Sequence, residues 1–339
     1  MALLTTTGDI AVNLQGYYDR NLLERATAAI LFDKFGQMRP MPSNSGTKIN
    51  FRRFESLPVN TTALTDGVTP TGKQLSATDI NATVKQYGDF VTITDWIDMV
   101  GLDKNLLEIG GEVLAEMAAL AYDTLCRDVL AAGTNVKYEG AATSTATVDG
   151  PILDADINYV IRLLEGNNAK KIRDIKTGSS KVGTSPIAAS YIAITHPDCR
   201  YDIENLTGFT PTHEYANQDE LSKAEGEVVE IGAVKGIRFL STTNAKVTEA
   251  GGAVVGATGM KAADSTNIDV YSTIVLAKNA YGMVPLGKKN IQNIVKKMGS
   301  AGTDDPLNQR ATSGYKFATT FKILNDDFLC RIEHAVTSL

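Results

Sequence analysis

Apolar residues recur at helical spacing in two windows near the start of the chain. Between residues 14 and 30 they stand mostly three or four positions apart, as Leu14, Tyr17, Tyr18, Leu22, Ala26, Ala29 and Ile30. Between residues 103 and 132 one stripe consists of Leu114, Ala118, Ala121, Leu125 and Val129. Asp103 can cap the second window and Gly133 can end it. We therefore predict an N-terminal helical segment and a second helix that is about 40 Å long.

Two prolines, Pro40 and Pro42, follow the first window and break helical geometry. The next residues have the composition of a turn. Residues 1–45 are thus predicted to be an arm without a core of its own.

Residues 48–57 and 78–94 favour strands, and the second stretch alternates apolar and polar side chains. The polar link between them, residues 58–77, is too long for a tight hairpin turn. This pattern predicts a long two-stranded ribbon. Because an isolated two-stranded ribbon is only marginally stable in water, we expect it to pack against a neighbouring molecule.

The rest of the chain contains both the three-to-four-residue spacing of helices and the alternation of strands. Helices are predicted over 154–165 and 197–206, and strands over 187–195, 228–240, 270–277, 315–320 and 328–335. No internal repeat is found.

Composition narrows the protein class. A hydrophobic fraction of 43% and a charged fraction of 21% are those of a globular protein, and the 339 residues suggest about two compact units. The formal net charge of −6 argues against a protein whose main function is to bind nucleic acid tightly. Three widely spaced cysteines favour buried thiols, and apolar runs are too short to span a membrane. Without a basic leader at the N-terminus, we expect a soluble protein made in the cytosol.

Motifs for catalysis or metal binding are weak. Residues 178–185 have the glycine spacing of a phosphate loop, but Thr184 stands where lysine is needed and a strand follows where a helix is needed. His196 and Cys199 lack a second pair of metal ligands, so His196 is predicted to be structural. The acidic pairs 304–305 and 326–327 are predicted to cap turns. No catalytic residue, metal or cofactor is predicted, and the chain is expected not to be an enzyme.

Most basic pairs are predicted to be solvated. Arg52 and Arg53 differ, because they lie on the ribbon, where their guanidinium groups could make bidentate contacts with carboxylates of a neighbour.

The order of these elements resembles a known family. An arm, a ribbon, a long helix, a mixed α/β region and a return to strands resemble the major capsid protein of tailed bacteriophages. Residues 303–316 are similar to the tail pattern of one subfamily, and residues 193–198 to its strand-to-helix entry. The resemblance implies an α+β fold with the arm at 1–45 and an extended loop at 46–95. It also implies a peripheral domain at 96–150 and 285–339, with a spine helix at about 103–132, and an axial domain at 151–284.

The resemblance further implies a subunit that self-assembles, as hexamers and pentamers, into an icosahedral shell around double-stranded DNA. Assembly is expected in the host cytoplasm, with a separate scaffolding protein, a portal and a possible decoration protein, and without a membrane. The net negative charge is consistent with a shell that encloses DNA without binding it tightly.

Candidate contact residues between subunits are Arg52, Arg53 and Lys73 on the ribbon and Asp304, Asp305 and Arg310 in the tail. By the same resemblance, Lys73 and Asn308 are chemically possible partners for a crosslink. Two alternatives remain at this point. One is a soluble α/β nucleotide-binding enzyme that uses residues 178–185, and the other is a tail-tube or portal component.

Overall fold

The structure is a computed structural model that describes residues 31–42, 44–100, 106–173, 189–214, 229–256, 259–287, 291–300 and 305–339. Its α-helices are α1 (Asp95–Val100), α2 (Leu106–Ala131), α3 (Asp154–Gly166) and α4 (Arg200–Glu204). Its first strands are β1 (Gln37–Met38), β2 (Lys48–Phe54), β3 (Ala77–Thr83), β4 (Lys85–Thr94), β5 (Val136–Tyr138), β6 (Tyr191–Thr195) and β7 (Phe209–Pro211). The remaining strands are β8 (Val229–Val234), β9 (Ile237–Ser241), β10 (Val247–Thr248), β11 (Val270–Leu276), β12 (Tyr281–Pro285), β13 (Ile291–Lys296), β14 (Arg310–Ile323) and β15 (Leu329–His334). The mixture confirms the predicted α+β class.

Strand β14 is the centre of the first sheet. It pairs with β4 along one edge from Arg310 to Thr319, and with β13 and then β12 along the other edge. The sequence predicted only a short strand over 315–320, whereas β14 has 14 residues. The prediction was too short because Gly314 and polar residues interrupt the apolar pattern, while neighbours on both edges pair the backbone along most of its length.

Helix α2 confirms the predicted long helix over its described residues, and residues 101–105 lie outside the described ranges. The helix packs on β14, where the Tyr122 ring meets Phe317 and Phe321 edge to face, with centroids 5.7 and 5.0 Å apart. Leu114 and Ala118 continue this buried face toward the start of the helix. Because apolar side chains repeat every three to four residues, a single face of α2 reaches the sheet.

A second sheet has the strand order β5-β15-β11-β6-β9-β8-β7 in the described part of the chain, with β10 added beside β11. Every residue of β6, β9 and β11 is buried, as expected of central strands covered on both faces. The strand predicted at 228–240 is the hairpin β8–β9. The helix predicted at 197–206 is shorter: a 3₁₀ turn, Pro197–Cys199, leads into α4.

In the described part of the chain, the ribbon is a sheet of two strands, β2 and β3, which pair from Lys48 opposite Thr83 to Phe54 opposite Ala77. The sequence predicted one second strand over 78–94, but the chain divides at Val84. The Val84 amide donates to the Thr47 carbonyl at 2.8 Å, and its side chain is buried. Beyond Val84, β4 joins the first sheet. The division was missed because the residues that bury Val84 are distant in sequence.

One of the two large core clusters joins side chains from both predicted domains, including Tyr122 and Phe317 of one range and Ile194 and Ile274 of the other. The residue ranges assigned to the arm, loop, peripheral and axial domains stay predictions. The predicted helical segment at 14–30 lies outside the described residues.

Candidate intersubunit contact surfaces

Side chains of the ribbon project into solvent over its whole outer part. Residues 56–79 are exposed without a break, and they include the connection between β2 and β3. A turn closes this connection: the Val68 amide donates to the Thr65 carbonyl at 3.1 Å, and Gly67 has a φ of 74°, which glycine adopts without strain. The ribbon is therefore a projection rather than a covered part of the body.

Arg52 faces Asp79 directly across the two strands. Its Nε donates to Asp79 Oδ1 at 2.8 Å and its Nη2 donates to Oδ2 at 3.0 Å, which is a bidentate pair. The hydrogen bond from Arg52 holds the pKa of Asp79 below its usual value. The carboxylate that this arginine contacts thus comes from its own ribbon, and a contact with a neighbour stays a prediction.

Arg53 is also paired within the ribbon. Its Nε and Nη2 donate to Glu55 Oε1 at 3.2 and 3.1 Å, and the Thr78 hydroxyl donates to the same oxygen at 2.8 Å. The hydrogen bonds from Thr78 and then Arg53 lower the pKa of Glu55. Arg52 therefore links the two strands directly, whereas Arg53 holds Glu55, which is linked to the opposite strand through Thr78.

Lys73 lies nearer the outer end of the ribbon, and its ammonium donates to the carbonyl of Pro58. This bond ties the two halves of the connection together. Lys73 remains exposed, so a contact with another subunit stays a prediction.

Six large apolar side chains of the ribbon are exposed, and we call them the apolar tip. They are Phe54 (65% exposed), Leu57 (44%), Val59 (87%), Leu64 (74%), Val68 (62%) and Leu75 (66%). Full burial of each such side chain is worth about 1.5–3 kcal/mol, so the tip is the largest unused source of contact energy on the ribbon. The sequence signal was present but was missed, because prolines, glycines and threonines made the link look uniformly polar.

The tail candidates have different environments. Asp305 is buried, and its Oδ2 accepts from the Arg310 amide at 2.8 Å, which confirms the predicted turn cap at this residue. Arg310 is exposed at the start of β14. Asp304 lies outside the described residues. The second acidic pair does not cap its own turn as predicted. Asn325 caps the 3₁₀ turn Asp326–Phe328, and Asp326 instead accepts from the amide of the distant Thr134 at 3.1 Å.

Arg310 lines a groove of about 820 Å³ on one face of the first sheet, together with Phe90, Ile294, Lys296 and Lys316. Phe90 and Ile294 lie in register on either side of Gly314 and are 66% and 39% exposed. A Cβ on Gly314 would lie 2.9 Å from the Phe90 Cβ, so glycine allows the strands to approach here. The groove therefore has an apolar centre, and its charged lining consists of three cations, Lys296, Arg310 and Lys316, and two acids, Asp89 and Asp305.

The remaining sequence candidates do not form a chemical site in the described ranges. The loop 178–185 lies outside them. Cys199 is buried, and His196 Nδ1 accepts from the Asp198 amide at 3.2 Å. His196 thus caps the following turn, which agrees with the structural role predicted for it. Among the described residues, His, Cys, Asp and Glu form no group of three that could hold a metal ion. Within the same ranges, no helix has the length and apolar character needed to cross a membrane.

Comparisons with known proteins identify the family. The model of the family described as "Phage capsid protein" matches residues 77–285. The capsid of Ralstonia phage GP4 superposes with a TM-score of 0.62 at 12% identity, and the match covers 89% of this chain and 87% of that one. The capsid of cyanophage Pam1 gives a TM-score of 0.56 at 12% identity, with 89% and 91% covered. The capsid of cyanophage P-SCSP1u gives 0.55 at 14% identity, with 91% and 89% covered. A comparison with curated proteins gives no match. Since the family model spans more than half of the 339 residues, the chain belongs to the phage capsid protein family and is a structural subunit of the virion shell.

Proposed function

We propose that copies of this chain assemble, as hexamers and pentamers, into the icosahedral head of a tailed bacteriophage that encloses double-stranded DNA. The observation that carries the proposal is the ribbon, whose outer residues are exposed and include the apolar tip. A two-stranded ribbon with such a surface gains stability when another molecule covers it. In a closed shell, a second copy of the chain is always beside it.

The groove around Gly314 is the part of a neighbouring copy that best matches the tip. Its apolar centre, Phe90 and Ile294, can cover aliphatic side chains, while Arg310, Lys296 and Lys316 can face acidic groups such as Asp66 on the turn of the ribbon. In this arrangement Arg52, Arg53 and Lys73 approach the same neighbour. The acidic candidate Asp305 precedes β14 and lines the groove. Asp304, which lies outside the described residues, is kept as a candidate for the same contact.

The proposed role is structural and not enzymatic, and it requires no cofactor. We propose a separate scaffolding protein and a portal as assembly partners, with a decoration protein as a further possible addition, and assembly in the host cytoplasm. The net charge of −6 supports loose enclosure of DNA, because tight nonspecific binding needs lysine and arginine to neutralise phosphates.

The test is electron microscopy of the purified full chain, with and without the apolar tip. Wild-type protein should form closed shells, and the variant Val59→Ser/Leu64→Ser/Val68→Ser should stay as small oligomers with an unchanged unfolding curve. The matched control is Leu153→Ser, because Leu153 is also an exposed apolar residue but lies outside the ribbon. This variant should assemble normally. Tubes or single rings from the wild type would instead favour a tail-tube or portal component. Normal shells from the triple variant would reject the apolar tip as the contact.

A further inference from the structure

The turn at the outer end of the ribbon contains an aspartate that is followed directly by glycine. The sequence has two such pairs, Asp66–Gly67 and Asp149–Gly150. In an Asp-Gly pair the side-chain carboxyl can close a five-membered ring with the next backbone nitrogen, and glycine has no side chain to hinder the approach. Both pairs are therefore chemically able to form a cyclic imide, and the folded structure decides which of them reacts.

Asp66 and Gly67 occupy the exposed turn that closes the ribbon. In the described ranges, one backbone hydrogen bond spans this turn, from the Val68 amide to the Thr65 carbonyl at 3.1 Å. Exposed loop tips with few hydrogen bonds are the parts of a protein that open most readily. The Gly67 nitrogen can therefore reach the Asp66 carboxyl after the loss of a single local bond.

The second pair has the opposite environment, because bonds to distant segments fix the backbone on both sides of it. The Val148 carbonyl, just before Asp149, accepts from the Ala253 amide at 2.9 Å. The Gly150 carbonyl accepts from the Ala335 amide at 2.8 Å. Rotation of the backbone at Asp149 would break these contacts with the body, so the fold protects this pair.

We propose that Asp66 is a site of spontaneous isomerisation to isoaspartate in the unassembled subunit. The Gly67 nitrogen attacks Cγ of Asp66, a C–N bond forms, and the hydroxyl group of the carboxyl leaves with the amide proton as water. Water then adds to the backbone carbonyl carbon of Asp66 and breaks its bond to the Gly67 nitrogen. One water leaves and one returns, so the product has the mass of the original chain and nothing is oxidised or reduced.

The isomer changes the shape of the turn. Its backbone runs through Cγ of residue 66 and is one carbon atom longer, while the former backbone carboxyl becomes a side group. Leu64 and Val68, two members of the apolar tip, lie two residues before and two residues after Asp66. The longer turn alters the spacing of these two side chains. If the tip contacts a neighbour as in the proposed function, on which this step rests, the isomer weakens that contact and the assembled shell protects Asp66.

Incubation of the purified, unassembled full chain at physiological temperature tests the assignment. Trypsin then releases residues 54–73, in which Asp66 is the only aspartate, and residues 138–162, which contain Asp149. Isoaspartate appears as a second chromatographic peak of equal mass that an isoaspartyl methyltransferase labels. It should accumulate at least about tenfold faster in 54–73, because the backbone around Asp149 opens far less often than an exposed tip.

The matched control is Asp66→Glu, which keeps the carboxylate but would need a slower, six-membered ring closure. This variant should give no second peak for residues 54–73. Absence of the isomer at Asp66 in the wild type, or equal accumulation in the two wild-type peptides, would overturn the assignment.

Shell yield after the same incubation tests the consequence separately. The yield from wild-type subunits should fall in proportion to the isomerised fraction, whereas the yield from Asp66→Glu should stay constant. In shells assembled before the incubation, Asp66 should isomerise more slowly than in free subunits. Isomerisation at Asp66 without any loss of yield would support the chemical assignment and reject the contact proposed for the apolar tip. An equal loss of yield in Asp66→Glu would overturn the link between the isomer and assembly.

Discussion

The ribbon β2–β3 and the pair β4–β14 share one antiparallel hydrogen-bonding pattern, yet their side chains have opposite environments. Phe317 on β14 is 2% exposed, with its ring stacked 5.6 Å from Tyr87, whereas Phe54 on β2 is 65% exposed. In the body, α2 covers one face of the sheet. In the ribbon, no described element covers the outer part. The comparison shows that strand pairing sets the backbone, while the neighbours of a strand decide how much its side chains contribute to stability.

Truncating one phenylalanine in each region should give the largest contrast. Phe317→Ala removes a ring that contacts Tyr87 and Tyr122, so the free energy of unfolding should fall by about 3–5 kcal/mol. Phe54→Ala removes a ring that is mostly in water and should leave unfolding of the isolated chain nearly unchanged. Urea unfolding followed by tryptophan fluorescence and circular dichroism measures both. Equal losses would mean that the ribbon is packed in the isolated subunit.

A second contrast concerns ion pairs. Arg238 and Glu230 are buried in the second sheet, and Arg238 Nε donates to Glu230 Oε1 at 2.6 Å. Arg238→Met leaves the carboxylate buried without this partner and should cost about 3–5 kcal/mol. The double variant Arg238→Met/Glu230→Leu should recover most of that loss. Arg52→Met breaks the Arg52–Asp79 pair, with a distance of 2.8 Å, but the Arg52 side chain is 62% exposed, so unfolding should not change measurably.

Arg52 and Arg53 should affect the assembly of subunits but not the stability of the isolated subunit. Arg52→Ala/Arg53→Ala should lower the yield of shells, counted by electron microscopy and sedimentation, while the unfolding curve of the body stays the same. Arg200→Ala is the matched control, because Arg200 is also exposed and paired with an acid, Glu204, on α4. A shell yield equal to that of the control would remove Arg52 and Arg53 from the proposed contact.

Local periodicity was enough to predict the elements whose pattern is repeated many times. Helix α2 and the buried strands of the second sheet follow from their own side chains, and the order of elements resembled the family that the comparisons then identified. The division at Val84 could not be predicted in this way, since Met41 and Val284 create the site that buries it. The full length of β14 likewise depends on three other strands.

The sequence predicted which element carries each candidate contact residue, but not which residue pairs with it. The sequence placed Arg52 and Arg53 on the ribbon, but only the register of β2 and β3 shows that Asp79 faces Arg52. The turn cap at Asp305 was predicted because an acid at a turn has a common local role. The apolar tip was missed because prolines, glycines and threonines made the link look polar, and its exposure is seen only from the absence of a covering element in the described part of the chain.

Carboxyl groups in the two regions should titrate in opposite directions, which sharpens the comparison further. Burial raises the pKa of Asp123 on α2 above its ordinary value of 3.8, although Asn244 and the amides of Phe32 and Leu31 oppose this shift. Burial and then the nearby Asp123 carboxyl raise the pKa of Asp33 in the same way. On the exposed ribbon, the hydrogen bond from Arg52 lowers the pKa of Asp79.

The signs follow from linkage between protonation and folding. A raised folded pKa favours the protonated folded state, so the contribution of Asp123 is complete below its ordinary value and is lost as the pH rises through the raised value. Asp79 behaves oppositely: its contribution is present above its ordinary pKa and is lost as the pH falls through the lowered value. Asp123→Asn should therefore flatten the decline in unfolding free energy as the pH rises above the ordinary pKa of 3.8, whereas Asp79→Asn should leave that slope unchanged. Carboxyl chemical shifts in NMR titrations report the two pKa values directly. A pKa of Asp123 below that of Asp79 would contradict the expected difference, because it would mean that the amide donors outweigh burial at the junction of the arm and α2.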